Sequence, residues 1–211
     1  MKIIDFPQGS SEWALARAGR VTASRVDAVL SRSRDRKSEG ATRRKYKAQI
    51  VSEILTGAPQ ETAFSSRAME DGIENEPFAR ALYEARSLIL VDVVGFVVHP
   101  RIDRSGCSPD GLVGTDGMVQ FKCPEPHTHL GYVLEGVAPS DYAPQMQWEM
   151  ACTGRSWSDF VSYSQPFPAP HNLLIVRLQR NEEEIQRITA EITQFNREVD
   201  EIIERLNRKA A

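Results

Sequence analysis

Two short runs in the middle of the chain carry residue types that act on phosphodiesters. The first is Ser108-Pro109-Asp110-Gly111. The second, beyond the turn Thr115-Asp116-Gly117, is Gln120-Phe121-Lys122. Metal-dependent phosphodiester cleavage needs oxygen ligands that hold Mg²⁺ against the scissile phosphate. It also needs a source of hydroxide and a positive charge near the transition state. Asp116-Gly117 signals a hairpin, and adjacent strands would set Asp110 beside the Gln120 side chain, with the Phe121 carbonyl completing the oxygen set. Side chains alternate along a strand, so Gln120 and Lys122 share one face while Val119 and Phe121 share the other. Lys122 could then reach an attacking water or a phosphate oxygen. Each residue taken singly also has a plain structural reading. Asp110 before Gly111 suits a turn, Lys122 suits a strand lysine whose stem covers apolar surface, and Gln120 suits a solvated strand position.

The elements that must position these residues can be read from periodicity. A short helix is expected over Ser10–Arg17 with Trp13 turned inward, and a second over Arg25–Leu30, where Ser24 and Asp27 have capping-box spacing. Ser31 to Lys47 carries eight basic and two acidic residues. Its first half reads as a loop and its second half opens a helix that Gly57 stops. Ser66 to Ala85 fits a helix with Met69, Ile73, Ala79, Leu82 and Tyr83 inward. Leu88 to His99, rich in β-branched residues, reads as one strand. Asp103–Cys107 and Gly111–Val113 read as short extended pieces, and Met118–Cys123 as a strand. Pro139–Thr153 reads as a helix, Ser158–Tyr163 and Leu173–Leu178 as strands. A long helix over Glu182–Leu206 keeps one apolar stripe, which favours packing on the core. The expected fold class is α/β or α+β, a central sheet flanked by helices.

Composition bounds the rest. With 211 residues, 41% hydrophobic and 26% charged, the chain fits one globular domain. The expected division is a basic part over 1–60, a core over 66–165 and a C-terminal helix over 181–208. The apolar run Leu88–Val98 is broken by Asp92 and Gly95 and is too short to span a bilayer. No secretory signal is visible at the N-terminus. Three cysteines without CxxC spacing argue against a disulfide framework, so a cytoplasmic setting is expected. The net charge of -3 conceals an asymmetry, because residues 1–50 hold 12 Lys and Arg against 5 Asp and Glu. Such a basic quarter can face phosphates, and it can equally be a solvated helix and loop.

Other motifs raise the odds for the catalytic reading. They are Trp13…Arg17-Ala18-Gly19…Thr22-Ala23-Ser24, then Gly72…Glu76…Ala79…Tyr83, then Cys107 to Gly111 with Lys122-Cys123-Pro124, then Tyr142…Gln145…Gln147. In this order they resemble the lambda-type exonucleases, the alkaline exonuclease or YqaJ-like viral recombinase family, over about residues 8–165. The resemblance implies a restriction-endonuclease-like core. It also implies Mg²⁺-dependent (Mn²⁺ as substitute) digestion of one strand of linear double-stranded DNA from its 5′ end, releasing mononucleotides and leaving 3′ single strands for recombination. A homotrimer and a single-strand annealing protein partner belong to the same implication. Residue by residue, it makes Asp110 a metal-binding aspartate, Phe121 a carbonyl ligand and Lys122 the catalytic lysine. Glu76 becomes the helical acid near the second metal and the water, and Gln145 an active-site glutamine. Arg17 and Ser24 become binders of the 5′-terminal phosphate, as suits a helix N-terminus beside a guanidinium. Met69 is either an apolar wedge near the DNA fork or a core methionine.

Gln120 departs from the pattern, which has a metal-binding glutamate there. An amide oxygen can ligate Mg²⁺ but brings no charge, so a weakly active or inactive form is expected. Both a natural glutamine and a deliberate Glu→Gln change fit. The alternative function is a catalytically impaired clamp that binds DNA ends. An iron–sulfur nuclease is disfavoured because such a cluster takes four thiolates. A sequence-specific endonuclease is disfavoured because no recognition module is evident.

Overall fold

The computed structural model of the chain describes residues 1–33, 38–60 and 67–210, with the backbone alone for 67–70 and 210. Met69 as a wedge or core residue, and the basic residues Arg34, Arg36 and Lys37, therefore lie outside what is described.

The chain opens with β1 (Lys2–Ile4) and α1 (Ser11–Arg17). Ser10 caps α1, its hydroxyl accepting from the Trp13 N–H at 3.2 Å. Next come β2 (Val21–Thr22), a 3₁₀ turn (Ala23–Arg25), α2 (Val26–Leu30) and α3 (Ala41–Thr56). Helix α3 stops at Gly57 with φ 66°, a left-handed cap that glycine takes without strain. After α4 (Arg67–Ser87) come β3 (Val91–Asp92), β4 (Phe96–Val98), β5 (Ser105–Cys107), β6 (Gly111–Val113) and β7 (Gly117–Lys122). The chain ends with α5 (Pro126–Glu135), α6 (Ala143–Thr153), β8 (Trp157–Tyr163), β9 (Leu173–Gln179) and α7 (Glu182–Ala210).

The strands form two mixed sheets, in the orders β1-β4-β5-β2 and β3-β6-β7-β8-β9. In the five-stranded sheet β7 runs parallel to β8 and every other pairing is antiparallel. Alternation on β7 decides which helix each face meets. Val119 and Phe121 join Ala79 and Tyr83 of α4 in one apolar cluster, while Met118 meets Met150 of α6. Gln120, on the Met118 face, is thereby aimed at α6. The largest cluster lies between α2, α3, α6 and α7, where Ile188, Ile192, Phe195 and Val199 are fully buried. The apolar stripe of α7 thus packs on the core as its spacing predicts, apart from its exposed end at Leu206.

Four expectations need correction. Leu88–His99 is not one strand but two, β3 and β4, placed in different sheets. The break falls at Gly95, where an added Cβ would lie 2.3 Å from the Ile4 carbonyl oxygen, and Leu88, Ile89 and Leu90 are left exposed. Ile73 is not inward; it is 71% exposed. Ser24 and Asp27 build no capping box: α2 starts after Arg25 without a side-chain cap, and the Ser24 hydroxyl sits 3.3 Å from Thr22 Oγ1. Helix α5 and strand β1, finally, have no counterpart in the sequence reading. Among the described residues no helix is long and apolar enough to cross a membrane.

Candidate active site

The hairpin β6–β7 sets the site. Its register pairs Gly111 with Val119, which brings Asp110, just before β6, level with Gln120. The Gln120 side-chain amide donates to Asp110 Oδ2, and the Phe121 backbone N–H donates to the same oxygen at 2.7 Å. From Gln120 the chain of contacts continues to α6. Gln145 Nε2 donates to Gln120 Oε1 and to Glu149 Oε1, both at 2.8 Å. Gln145 and Glu149 are four residues apart and so lie on one helix face.

Lys122 leaves the strand at the edge of a cleft of about 400 Å³, lined also by Gly72, Ile73, Glu76, Phe121 and Tyr142. Its ammonium lies 4.9 Å from the centre of the Tyr142 ring. Glu76, half-buried on α4, accepts from Arg80 at 2.9 Å. The structure therefore brings Asp110, Gln120, Phe121, Lys122, Glu76 and Gln145 into one region. Burial pushes the Asp110 carboxyl up to about 7; Lys122 opposes that rise and Glu76 adds to it.

Two residues escaped the sequence reading. Glu149 is only 1% exposed, and its Oε2 has no hydrogen-bond partner among the described residues. Burial pushes its carboxyl up to about 8, against the Gln145 hydrogen bond and with help from the Asp110 charge. Its signal was the four-residue step from Gln145, which places it on the same helix face. Arg80, the partner of Glu76, was the other.

Arg17 and Ser24 make no described hydrogen bond or ion pair with this group. The Arg17 guanidinium stacks over Trp13 at 4.0 Å, and burial lowers its pKa. Ser24 is exposed on the 3₁₀ turn. Trp13 ties this region to the hairpin, because its indole N–H donates to Ser108 Oγ at 2.9 Å. The basic stretch is less free than its sequence suggests. Arg43 is buried between Glu39 and Glu198, Lys47 pairs with the same two acids, and Arg32 pairs with Glu191. Of the described basic residues there, Arg44 and Lys45 are the exposed ones without a described ion pair.

Among the described residues no group of three or more His, Cys, Asp and Glu side chains converges as a metal cluster. A cation at this place would have to draw on amide and carbonyl oxygens beside carboxylates. The donors at hand, Asp110, the Gln120 amide and the Phe121 carbonyl, are hard oxygens that suit Mg²⁺ or Mn²⁺.

The YqaJ-like viral recombinase domain matches residues 12–156. An alkaline exonuclease, LHK-Exo from Laribacter hongkongensis, is 40% identical over 95% of this chain and 98% of its own, with a TM-score of 0.87. LHK-Exo in complex with dAMP superposes with a TM-score of 0.88 at the same identity and coverage. A phage-related exonuclease from Haemophilus somnus 129PT is 17% identical over 89% of this chain and 96% of its own, with a TM-score of 0.69, and shares the fold. No curated protein matches. The mixed α/β architecture is the restriction-endonuclease-like one of these exonucleases. By sequence and by structure, the chain belongs to the YqaJ-like viral recombinase family.

Proposed function

We propose that this protein is a divalent-metal-dependent exonuclease acting on linear double-stranded DNA. It uses Mg²⁺, or Mn²⁺ in its place, to digest one strand from the 5′ end to mononucleotides, leaving 3′ single strands for recombination. The observation that carries this reading is the contact of Asp110 with Gln120 on a hairpin that also presents Lys122 to an open cleft. Kinship with an alkaline exonuclease at 40% identity supports it.

Asp110, the Gln120 amide oxygen and the Phe121 carbonyl would hold the cation. When bound, it supplies Lewis acidity and lowers the pKa of a water. Gln120 now turns its NH₂ toward Asp110, so its amide must rotate by half a turn to offer oxygen. Lys122 donates to a phosphate oxygen or the attacking water and offsets the charge that builds on the phosphorane. Glu76 orients the water from the α4 side. Gln145, whose Nε2 donates to Gln120 Oε1, gives up that hydrogen bond when the oxygen turns to the cation. Arg17 clamps the 5′-terminal phosphate bidentately, with Ser24 adding a hydroxyl donor at the 3₁₀ turn. We assign to the same reading one nuclease domain over 1–211, a homotrimer and a single-strand annealing protein as partner.

Release of acid-soluble nucleotides from linear duplex DNA tests this, with Mg²⁺ and with EDTA, for the chain itself, Gln120→Glu and Asp110→Asn. Mg²⁺-dependent release that Asp110→Asn abolishes supports the exonuclease. The uncharged Gln120 also favours a second reading, a clamp that binds ends without cutting. End binding with no release by the chain or by Gln120→Glu would establish the clamp instead.

A further inference from the structure

Gln120 leaves the candidate metal centre one negative charge short, and the structure holds a buried carboxylate two contacts away. Glu149 is 1% exposed. Its Oε1 accepts from Gln145 Nε2 at 2.8 Å, and that same nitrogen donates to Gln120 Oε1 at 2.8 Å. Its Oε2 has no partner among the described residues. A buried carboxylate oxygen left without a donor is costly, and a fold tolerates it when the group keeps a proton or a ligand completes it. The charged groups that act on Glu149 are Asp110, of like sign, and Lys122. Lys122 is already drawn toward the Tyr142 ring at the cleft. Asp110 and Glu149 are thus two buried acids linked through Gln120 and Gln145.

We propose that Glu149 is the second anionic residue of the metal centre, facing with Asp110 the divalent cation that a glutamate at position 120 would otherwise help to neutralise. As the side chains stand, Gln145 Nε2 links the Gln120 oxygen to Glu149 Oε1. The inference rests on the metal-dependent reading above. It differs from that reading in the residue it adds and in the origin of the charge. Affinity for hard cations follows the number of anionic ligands, so one carboxylate supplied from α6 makes up for the uncharged amide at position 120.

Mn²⁺ binding, measured by calorimetry without DNA, separates the two claims. The proteins are the unaltered chain, Glu149→Gln, Gln120→Glu, Gln120→Glu with Glu149→Gln, and Asp110→Asn. Glu149→Gln should weaken Mn²⁺ binding by roughly 10–100-fold. On the Gln120→Glu background the same change should cost under about threefold, because the two carboxylates are alternatives and their effects are not additive. Unchanged Mn²⁺ binding by Glu149→Gln, with binding lost in Asp110→Asn, overturns the role of Glu149 and leaves the metal site standing. Equal losses on both backgrounds overturn the compensation. Unchanged binding by Asp110→Asn overturns the metal reading and this inference with it. Crystals of the unaltered chain soaked in Mn²⁺ need no variant. An anomalous peak within about 5 Å of both carboxylates, direct or water-bridged contact, supports the assignment, and a peak beyond that from Glu149 overturns it.

Discussion

The carboxyl of Glu149 makes the pH dependence of stability calculable. In the unfolded chain it ionises near 4.5, and in the fold burial holds its proton until about 8. Between those values the folded state binds more protons than the unfolded state, so this residue's contribution to stability is complete below about pH 4.5 and is lost as pH rises through 8. A shift of that size corresponds to about 5 kcal/mol, an upper bound for a group beside a second buried acid. Glu149→Gln keeps the shape and the acceptor for Gln145 but cannot ionise. In EDTA the variant and the parent should melt within a degree or two at pH 5. At pH 9 the variant should melt higher, by roughly 10 °C at the few degrees per kcal/mol typical of this chain length. Differential scanning calorimetry across pH 5 to 9 reads the gap directly. A gap that does not grow with pH, or a variant that melts lower at pH 9, would refute the claim that the carboxylate is buried at a cost.

Three further outcomes can be stated. His99 stacks on Trp148 with centroids 4.6 Å apart, and its Nδ1 accepts from the N–H groups of Arg101 and Ile102 at 3.2 and 3.1 Å; burial lowers its pKa to about 4 from 6.5. Its contribution is therefore present above pH 6.5 and lost as pH falls toward 4, and His99→Asn, which keeps an acceptor but cannot titrate, should flatten that limb of the urea-unfolding profile. Phe195 on α7 is fully buried against Tyr46, so Phe195→Ala should cost about 3–5 kcal/mol in urea melts with an unchanged slope. Arg17→Ala should bring the rates on 5′-phosphorylated and 5′-hydroxyl ends together while sparing Mn²⁺ binding, and a preserved preference would remove Arg17 from the end-phosphate site.

Much of the site was legible because its determinants are local. The Asp-Gly turn at 116–117 and the alternation over 118–122 are enough to place Gln120 and Lys122 on one face and to bring Asp110 level with Gln120. Ser10, Gly57 and the stripe of α7 marked helix limits and faces in the same local way. What failed depends on distant partners. Leu88–Val98 has the composition of one strand, and only the backbone of β1, pressed against Gly95, divides it between two sheets. Ile73 has the spacing of an inward residue, yet it lines the rim of the cleft. Helix α5 carried a proline at its start and Gly136 at its end, but what fixes it is His129, hydrogen-bonded to Ser162 and to the His171 carbonyl. Glu149 reads as an ordinary helix acid until the sheet is laid against α6.

The Trp13–Ser108 hydrogen bond fixes a length. Arg17 rests on the Trp13 ring, Trp13 holds Ser108, and Ser108 stands two residues before Asp110. If Arg17 grips the terminal phosphate, the span from strand end to scissile bond is a gauge cut into the fold, set by stiff aromatic and backbone parts rather than by the mobile substrate. Product size is then a property of the ruler. Loosening it at Trp13 would blur the increment in which the strand is shortened before it slowed the cutting itself.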